Sequence, residues 1–72
     1  MEDKELLKKL GKRIVAIREG KNITQVELAN LCEFDRSNMN RIESGNTNPT
    51  TLTIKIICES LDIPIKELFN FD

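Results

Sequence analysis

Four polar residues in the middle of the chain recur at helical spacing and share one face of a predicted helix. They are Arg36, Ser37, Asn40 and Arg41, with no apolar residue among them. Their guanidinium, amide and hydroxyl groups offer hydrogen-bond donors and acceptors in a compact patch. The apolar residues of the same helix lie on the other face. We therefore expect the polar face to point outward and its chemistry to be hydrogen bonding.

Catalysis and metal binding are poorly supported by the residue types present. The sequence contains no histidine, so the most common general base and the most common metal ligand are both missing. Its two cysteines, Cys32 and Cys58, lie far apart on predicted apolar helix faces, a placement typical of small buried hydrophobic residues. We expect no enzyme, no metal site, no cofactor and no small-molecule ligand.

Length and composition favour one soluble domain over residues 1–72. The chain is 39% hydrophobic and 32% charged, as in an ordinary globular domain. A core of this size is thin, so folding usually needs very regular packing, a staple or a partner subunit. No apolar run approaches the roughly 18 residues of a membrane span, and the N-terminus lacks the apolar core of a secretion signal. We expect a cytoplasmic protein with no membrane contact.

Charged residues are unevenly distributed along the chain. The net charge of −1 argues against a nucleic-acid partner, because domains that bind nucleic acid are commonly basic. Between residues 4 and 21, however, seven lysines and arginines stand against two glutamates, which gives a local net charge of +5. The other segments are net negative. Charge alone leaves open whether the positive helix face is merely solvated or contacts an anionic partner.

The first two predicted helices are marked by apolar periodicity and capping residues. A helix over about residues 4–19 has Asp3 as its cap and ends at Gly20. The next begins at Thr24, which can form a capping box with Glu27, and it continues to about residue 32. A helix of two turns is too short to be stable alone. We therefore expect another element to pack against it.

Three more helices complete the predicted fold, and no strand pattern is present. Asp35 can cap a third helix that runs to residue 44, where Gly45 ends it. After a turn over residues 45–50, Thr50 can cap a fourth helix that is apolar on more than one side. Pro64 opens a last short helix that ends near residue 69. The pattern predicts an all-α protein.

The second and third predicted helices are both short, and the third has a polar outward face. This is the architecture of a helix-turn-helix DNA reader. The chain resembles the Xre/Cro/cI family of phage and bacterial repressors over residues 10 to 69. The matching segments are Leu10-Gly11-x-x-Ile14, Arg18, Gln25-Val26-Glu27-Leu28-Ala29, Met39, Ile42-Glu43-Ser44-Gly45, Pro49 and Leu61-Asp62-Ile63-Pro64. The resemblance implies a compact five-helix, lambda-repressor-like domain, with the helix-turn-helix over about residues 24–44.

The resemblance also implies which residues read DNA bases. Arg36, Ser37 and Arg41 correspond to residues that enter the major groove, and Asn40 lies beside them. Arginine can form two hydrogen bonds with guanine, and asparagine can do the same with adenine. For the two arginines, phosphate contact or plain solvation remains the alternative.

A second group of residues is expected to hold the DNA backbone. Gln25 lies in the first turn of the second helix, where free N–H groups and the helix dipole favour a phosphate. By resemblance, the turn after the third helix also grips phosphates. The remaining candidates are Asn38, Asn46, Thr47, Asn48, Thr50, Lys12 and Lys21. For the turn residues, ordinary loop composition is the alternative.

The resemblance assigns a structural role to Arg18 and Glu43, which match an ion pair tying the first helix to the recognition helix.

Two positions depart from the family pattern. Glu33 and Asp62 stand where the family usually has glycine. Glycine is favoured there by a left-handed backbone, which costs a non-glycine residue about 1 kcal/mol. The resemblance thus implies a left-handed backbone at both positions.

An apolar surface on the fourth helix predicts a dimer. Leu52 and Ile56 lie four residues apart on a side that the core does not need, and Ile65, Phe69 and Phe71 add apolar area nearby. The alternative is a monomer whose last helix folds over this surface.

We expect a homodimeric transcriptional regulator, repressor-, controller- or antitoxin-like, on a palindromic double-stranded DNA operator. The competing hypothesis is a protein-interaction module that docks a partner such as a toxin through helix four and the C-terminus.

Overall fold

A computed structural model describes residues 2–71, and within them the backbone forms five α-helices and no strand. The helices are α1 (Asp3–Gly20), α2 (Gln25–Cys32), α3 (Arg36–Glu43), α4 (Thr51–Leu61) and α5 (Ile65–Leu68). The all-α prediction is confirmed. No helix among these residues is long and apolar enough to cross a membrane.

Two threonines start helices as predicted. Thr24 Oγ1 accepts a hydrogen bond from the Glu27 backbone N–H at 3.1 Å, and the Glu27 carboxylate accepts one from the Thr24 N–H at 2.8 Å. Hydrogen bonding of the Glu27 carboxylate to the backbone N–H of Thr24, and next to the Thr24 side chain, lowers the pKa of Glu27 from its ordinary value. Thr50 likewise caps α4 by accepting from the Thr53 N–H at 3.1 Å. Both helix starts are confirmed.

Both predicted ends of α1 were wrong in detail, whereas the N-cap of α3 was predicted at the right residue. Asp3 lies inside the first turn of α1, whose N-cap is Glu2, so its charge faces the positive end of the helix instead of capping it. Asp35 is the N-cap of α3, but its side chain forms no capping bond. At the other end of α1, Gly20 remains helical and Asn22 takes the left-handed conformation, with φ of 60°. Asparagine tolerates this region better than most residues, which lets the helix run one residue further.

The end of α3 and the two glycine-replacing residues agree closely with the sequence. The helix stops at Glu43, one residue earlier than expected, and Gly45 follows with φ of 76°. Glu33 and Asp62 are left-handed, with φ of 59° and 56°. The predicted left-handed positions are confirmed, although glycine is absent from both.

The core lies where all five helices meet. Its buried apolar residues are Leu10, Ile14, Leu28, Ala29, Cys32, Met39, Ile42, Ile57, Cys58, Leu61 and Leu68. Both cysteines are free thiols whose pKa is raised by burial, and the Cys32 thiol donates to Ser60 Oγ at 3.3 Å. These cysteines act as small hydrophobic residues, as predicted.

A close backbone approach joins α1 to α3 and positions the polar face of α3. A Cβ atom added to Gly11 would collide with the Glu43 carbonyl oxygen and lie 2.9 Å from that of Ile42. Only glycine permits this backbone contact. Further along, a Cβ atom on Gly45 would lie 2.8 Å from the Cα of Lys8, so the start of α1 also packs on the turn after α3.

Candidate nucleic-acid interface

The polar face of α3 is exposed along its whole length. Arg36, Ser37, Asn40 and Arg41 all lie at the surface, whereas Met39, Ile42 and Glu43 are buried on the opposite side. Helical periodicity places these two groups on different sides, because residues three and four apart share a face. The outward orientation predicted for the four residues is confirmed, while their role in DNA binding stays a prediction.

An open depression brings together residues from two helices. It has a volume of about 460 Å³ and is lined by Gln25 from the start of α2 and by Arg36, Ser37 and Asn40 from α3. Every lining residue carries a hydrogen-bonding side chain. Arg41 does not line it, but is exposed one turn beyond Ser37 on the same helix. Three of the predicted base-reading residues therefore meet Gln25, one of the predicted phosphate contacts, at one surface.

Asn40 has an intramolecular partner that the sequence analysis did not single out. The Ser44 hydroxyl donates to the Asn40 backbone carbonyl at 2.7 Å and also lies 3.2 Å from Asn40 Oδ1. Ser44 is one helical turn away from Asn40, the spacing at which a serine side chain reaches back to a carbonyl. The amide of Asn40 is thus held by its own helix at the interface.

The remaining residues predicted to contact phosphates surround α3. Asn46, Asn48 and Thr50 are exposed in the turn, Asn38 and Thr47 are half-buried, and Lys12 and Lys21 are exposed on the first helix and directly after it. The Thr50 hydroxyl is used by the α4 cap and by a 2.9 Å bond with Thr53 Oγ1. Its side chain is therefore less available to a ligand than those of the asparagines.

Arg18 and Glu43 form a buried ion pair beneath the interface. Arg18 Nε donates to Glu43 Oε2 at 2.8 Å and Nη2 donates to Oε1 at 3.1 Å, while both residues are 9% exposed. Arg18 Nη1 also donates to the Ile23 carbonyl at 3.1 Å. The Glu43 hydrogen bond raises the pKa of Arg18, although burial lowers it in part. The predicted pair is present and ties α1 to α3.

Gln25 is hydrogen-bonded to this ion pair, a contact that the sequence did not predict. Its Nε2 donates to Glu43 Oε1 at 3.0 Å. The two residues are 18 positions apart and belong to different helices, so no sequence periodicity could have placed them together. This contact connects the depression at the surface to the buried ion pair.

The residues predicted to form a dimer interface are apolar and accessible in the isolated chain. Leu52 is 71% exposed, and Ile56, Ile65 and Phe69 are exposed as well. Phe71 is half-buried, and its ring centroid lies 6.3 Å from that of Phe69. The short α5 packs beside α4 without covering these side chains.

Metal chemistry finds no support among residues 2–71, where no group of three or more Cys, Asp or Glu side chains could hold an ion. The charged groups at the surface described above are guanidinium and ammonium groups, which suit an anionic partner.

Comparison with known proteins identifies the class of protein that this fold and surface define. The helix-turn-helix domain family matches residues 11–70, most of the chain. The chain therefore belongs to this family, and its sequence and fold are similar to those of Xre/cI-like helix-turn-helix regulators.

Three particular relatives illustrate the range of the family. The restriction-modification controller protein C.AhdI from Aeromonas hydrophila is 36% identical, with a TM-score of 0.85 over 88% of this chain and 96% of that protein. The immunity repressor protein of Bacillus phage phi105 is 34% identical over 82% of this chain and 41% of its own length. The controller protein C.Esp1396I, solved as a tetramer in complex with its natural 35 base-pair operator, is 30% identical, with a TM-score of 0.76 over 90% of this chain and 96% of that one. The chain spans about two fifths of the length of the curated relatives that it matches.

Proposed function

We propose that this chain binds double-stranded DNA sequence-specifically, as a homodimeric transcriptional regulator in the cytoplasm. In each subunit α3 enters the major groove of one half of a palindromic operator. Arg36, Ser37, Asn40 and Arg41 read base edges there. Gln25 and the asparagines of the turn after α3 hold the phosphates on either side.

The observation that carries this proposal is the shared depression of α2 and α3. Gln25 opens α2 at the same surface on which Arg36 and Asn40 stand exposed. A major groove about 12 Å wide admits one α-helix, and the backbone on its edge then meets the start of the preceding helix. Donors for phosphates and donors for bases are thus arranged as one groove requires.

The exposed apolar residues of α4 and α5 support the proposed dimer. Successive major grooves on one side of DNA lie about 34 Å apart, and the longest dimension of this chain is 31 Å. One chain has a single α3, so on the proposed palindromic operator the recognition helix for the other half-site comes from a second copy. Leu52 and Ile56 of α4, with Ile65 and Phe69 beside them, supply the apolar contact. The tetramer of C.Esp1396I on its operator gives a related protein that binds DNA as an assembly.

Selection of bound duplexes from a random DNA pool tests the proposal. The chain is expected to enrich one motif made of two inverted half-sites whose centres lie about 10 base pairs apart. The variant Arg36→Ala/Arg41→Ala is the matched control, because both side chains are exposed and their loss leaves the core intact. If the folded chain enriches no motif, the proposal is wrong and the protein-docking function of this fold takes its place.

A further inference from the structure

The Glu43 carboxylate accepts one hydrogen bond more than its ion pair requires. Two bonds come from Arg18, and a third comes from Gln25 Nε2 at 3.0 Å. Glu43 belongs to α3, Arg18 to α1 and Gln25 to the start of α2. The carboxylate therefore connects three helices, and the bond to Gln25 needs an explanation of its own.

This third bond fixes the orientation of the Gln25 amide. A glutamine side chain carries a carbonyl oxygen and an NH₂ group that exchange places when the amide rotates by half a turn. A carboxylate paired with a guanidinium is only an acceptor, so the NH₂ group of Gln25 must face Glu43. One N–H is used in this bond. The second points away from Glu43 and has no acceptor among residues 2–71.

The second N–H lies at the candidate interface. Gln25 is half-buried and lines the depression with Arg36, Ser37 and Asn40. It is also the first residue of α2, where unpaired backbone N–H groups and the helix dipole attract an anion. One side of the amide is therefore anchored in the protein while the other faces the surface where DNA would bind.

We propose that Glu43 is a positioning residue for DNA binding: it holds the Gln25 amide so that its second N–H is presented to a phosphate oxygen. The inference rests on the proposed function. Because Glu43 is part of α3, the phosphate donor keeps a fixed position relative to the residues that read bases. The resemblance gave Glu43 a structural role alone, in which its loss weakens binding only through stability. Here affinity falls even in the fully folded protein.

The test removes the anchor while preserving the fold. Glu43→Met alone would leave Arg18 buried and unpaired, whereas Arg18→Met/Glu43→Met replaces the whole pair by apolar side chains, a change that is often neutral for stability. The full chain is titrated with the duplex enriched from the random pool, at a temperature where circular dichroism shows each variant folded. The paired variant is expected to bind about tenfold more weakly than the original chain, as for one lost hydrogen bond to a charged group.

A double-mutant cycle shows whether the loss acts through Gln25. Gln25→Met keeps the length of the side chain but removes the amide, and it should also weaken binding about tenfold. Combining all three substitutions should then weaken binding no further, because the same phosphate bond is lost only once. Losses that multiply to about a hundredfold, or a paired variant that binds like the original, overturn the positioning role but leave the proposed function intact. A chain that enriches no duplex overturns both.

An NMR measurement on the unmodified chain decides the matter if the paired variant does not fold. Gln25 is the only glutamine in the sequence, so its side-chain NH₂ signals are readily assigned. In the free protein one of its two protons should exchange slowly with solvent, and the other should become protected only when the enriched duplex is added. If both protons exchange like those of a solvated amide, or neither changes on DNA binding, the positioning role is wrong.

Discussion

At the residue scale, the interface separates groups that can distinguish base pairs from groups that cannot. Arg36 and Arg41 are exposed on α3, where a guanidinium can form two bonds with a guanine edge. Gln25 stands at the edge of the same surface with one amide proton already bonded to Glu43. A phosphate is the same under every base pair, so a contact from Gln25 adds affinity without specificity.

Substitutions at these positions should therefore have different effects on specificity. Arg36→Ala and Arg41→Ala are each expected to relax the preference at one or two base pairs per half-site, because a lost bidentate contact costs about 1 to 3 kcal/mol of discrimination. Gln25→Ala should weaken binding to all sequences alike. Selection from random DNA by each variant measures this. If the arginine variants enrich the original motif with lower affinity only, these arginines contact phosphates and the assignment of the reading face is wrong.

At the element scale, short helices depend on how they end and on how closely they pack. Both α2 and α3 have eight residues, too few to be stable alone. The turn between them places Glu33 in the left-handed region at φ of 59°, and the α1 to α3 contact requires Gly11. At Glu33 and at Gly11, stability therefore depends on whether the residue fits the backbone conformation or the backbone contact.

The turn offers a direct test of backbone strain. Glu33→Gly is expected to raise the free energy of unfolding by about 0.5 to 1 kcal/mol, because glycine adopts the left-handed conformation without a Cβ clash. Glu33→Ala is the matched control, since it removes the exposed carboxylate but keeps the Cβ atom. Urea denaturation of the three proteins makes the comparison. An equal gain from alanine would mean that charge, and not the left-handed backbone, limits stability here.

Two glycines of α1 provide an internal comparison of packing. Gly11→Ala should lower the free energy of unfolding by about 1 to 3 kcal/mol, because its Cβ meets the rigid backbone of α3. Gly20→Ala should raise it by about 0.5 to 1 kcal/mol, since alanine is the better helix former and a Cβ there meets nothing within 4 Å. Thermal unfolding of both variants distinguishes the sites. Similar changes at both would contradict the close contact between α1 and α3.

At the scale of the whole molecule, an acidic chain presents a surface suited to an acidic polymer. The net charge is −1, yet the segment from 4 to 21 is positive, and its start packs on the turn that follows α3. Electrostatic attraction to DNA would therefore come from this one positive segment, and it would weaken as salt screens the lysines. Under the proposed function, affinity for DNA therefore depends on specific contacts and on the second subunit of the proposed dimer.

Removing the apolar surface of α4 should separate dimer formation from folding. Leu52→Asp/Ile56→Asp is expected to give a folded monomer in sedimentation experiments and to abolish tight binding to a palindromic duplex, because charges would be desolvated at the interface. Leu31→Asp is the matched control, since Leu31 is a 58% exposed leucine on α2, outside the predicted interface. A double variant that still sediments as a dimer excludes this surface as the interface.

The sequence by itself determined which segments are helical, and it predicted the residues of the candidate interface. The Thr24 capping box, the apolar periodicity and the polar face of α3 are local properties, in which each residue reports on neighbours three or four positions away. The left-handed Glu33 and Asp62 were also predicted, although from the resemblance to a family that has glycine there. Helix ends were less certain, as at Asn22, because several residues compete to end a helix.

Only the tertiary structure decided which distant residues meet. Packing of α1 on α3 brings the Glu43 backbone against Gly11, and packing of α2 beside them brings Gln25 to the Glu43 carboxylate. Neither contact has a periodic signal, since each depends on the crossing of two helices. The packing of α2 against α3 also brings Gln25 to Arg36 and Asn40 in one depression. Local hydrogen bonds and apolar spacing determine the helices, whereas the packing of α1 and α2 against α3 brings the residues of the candidate interface together.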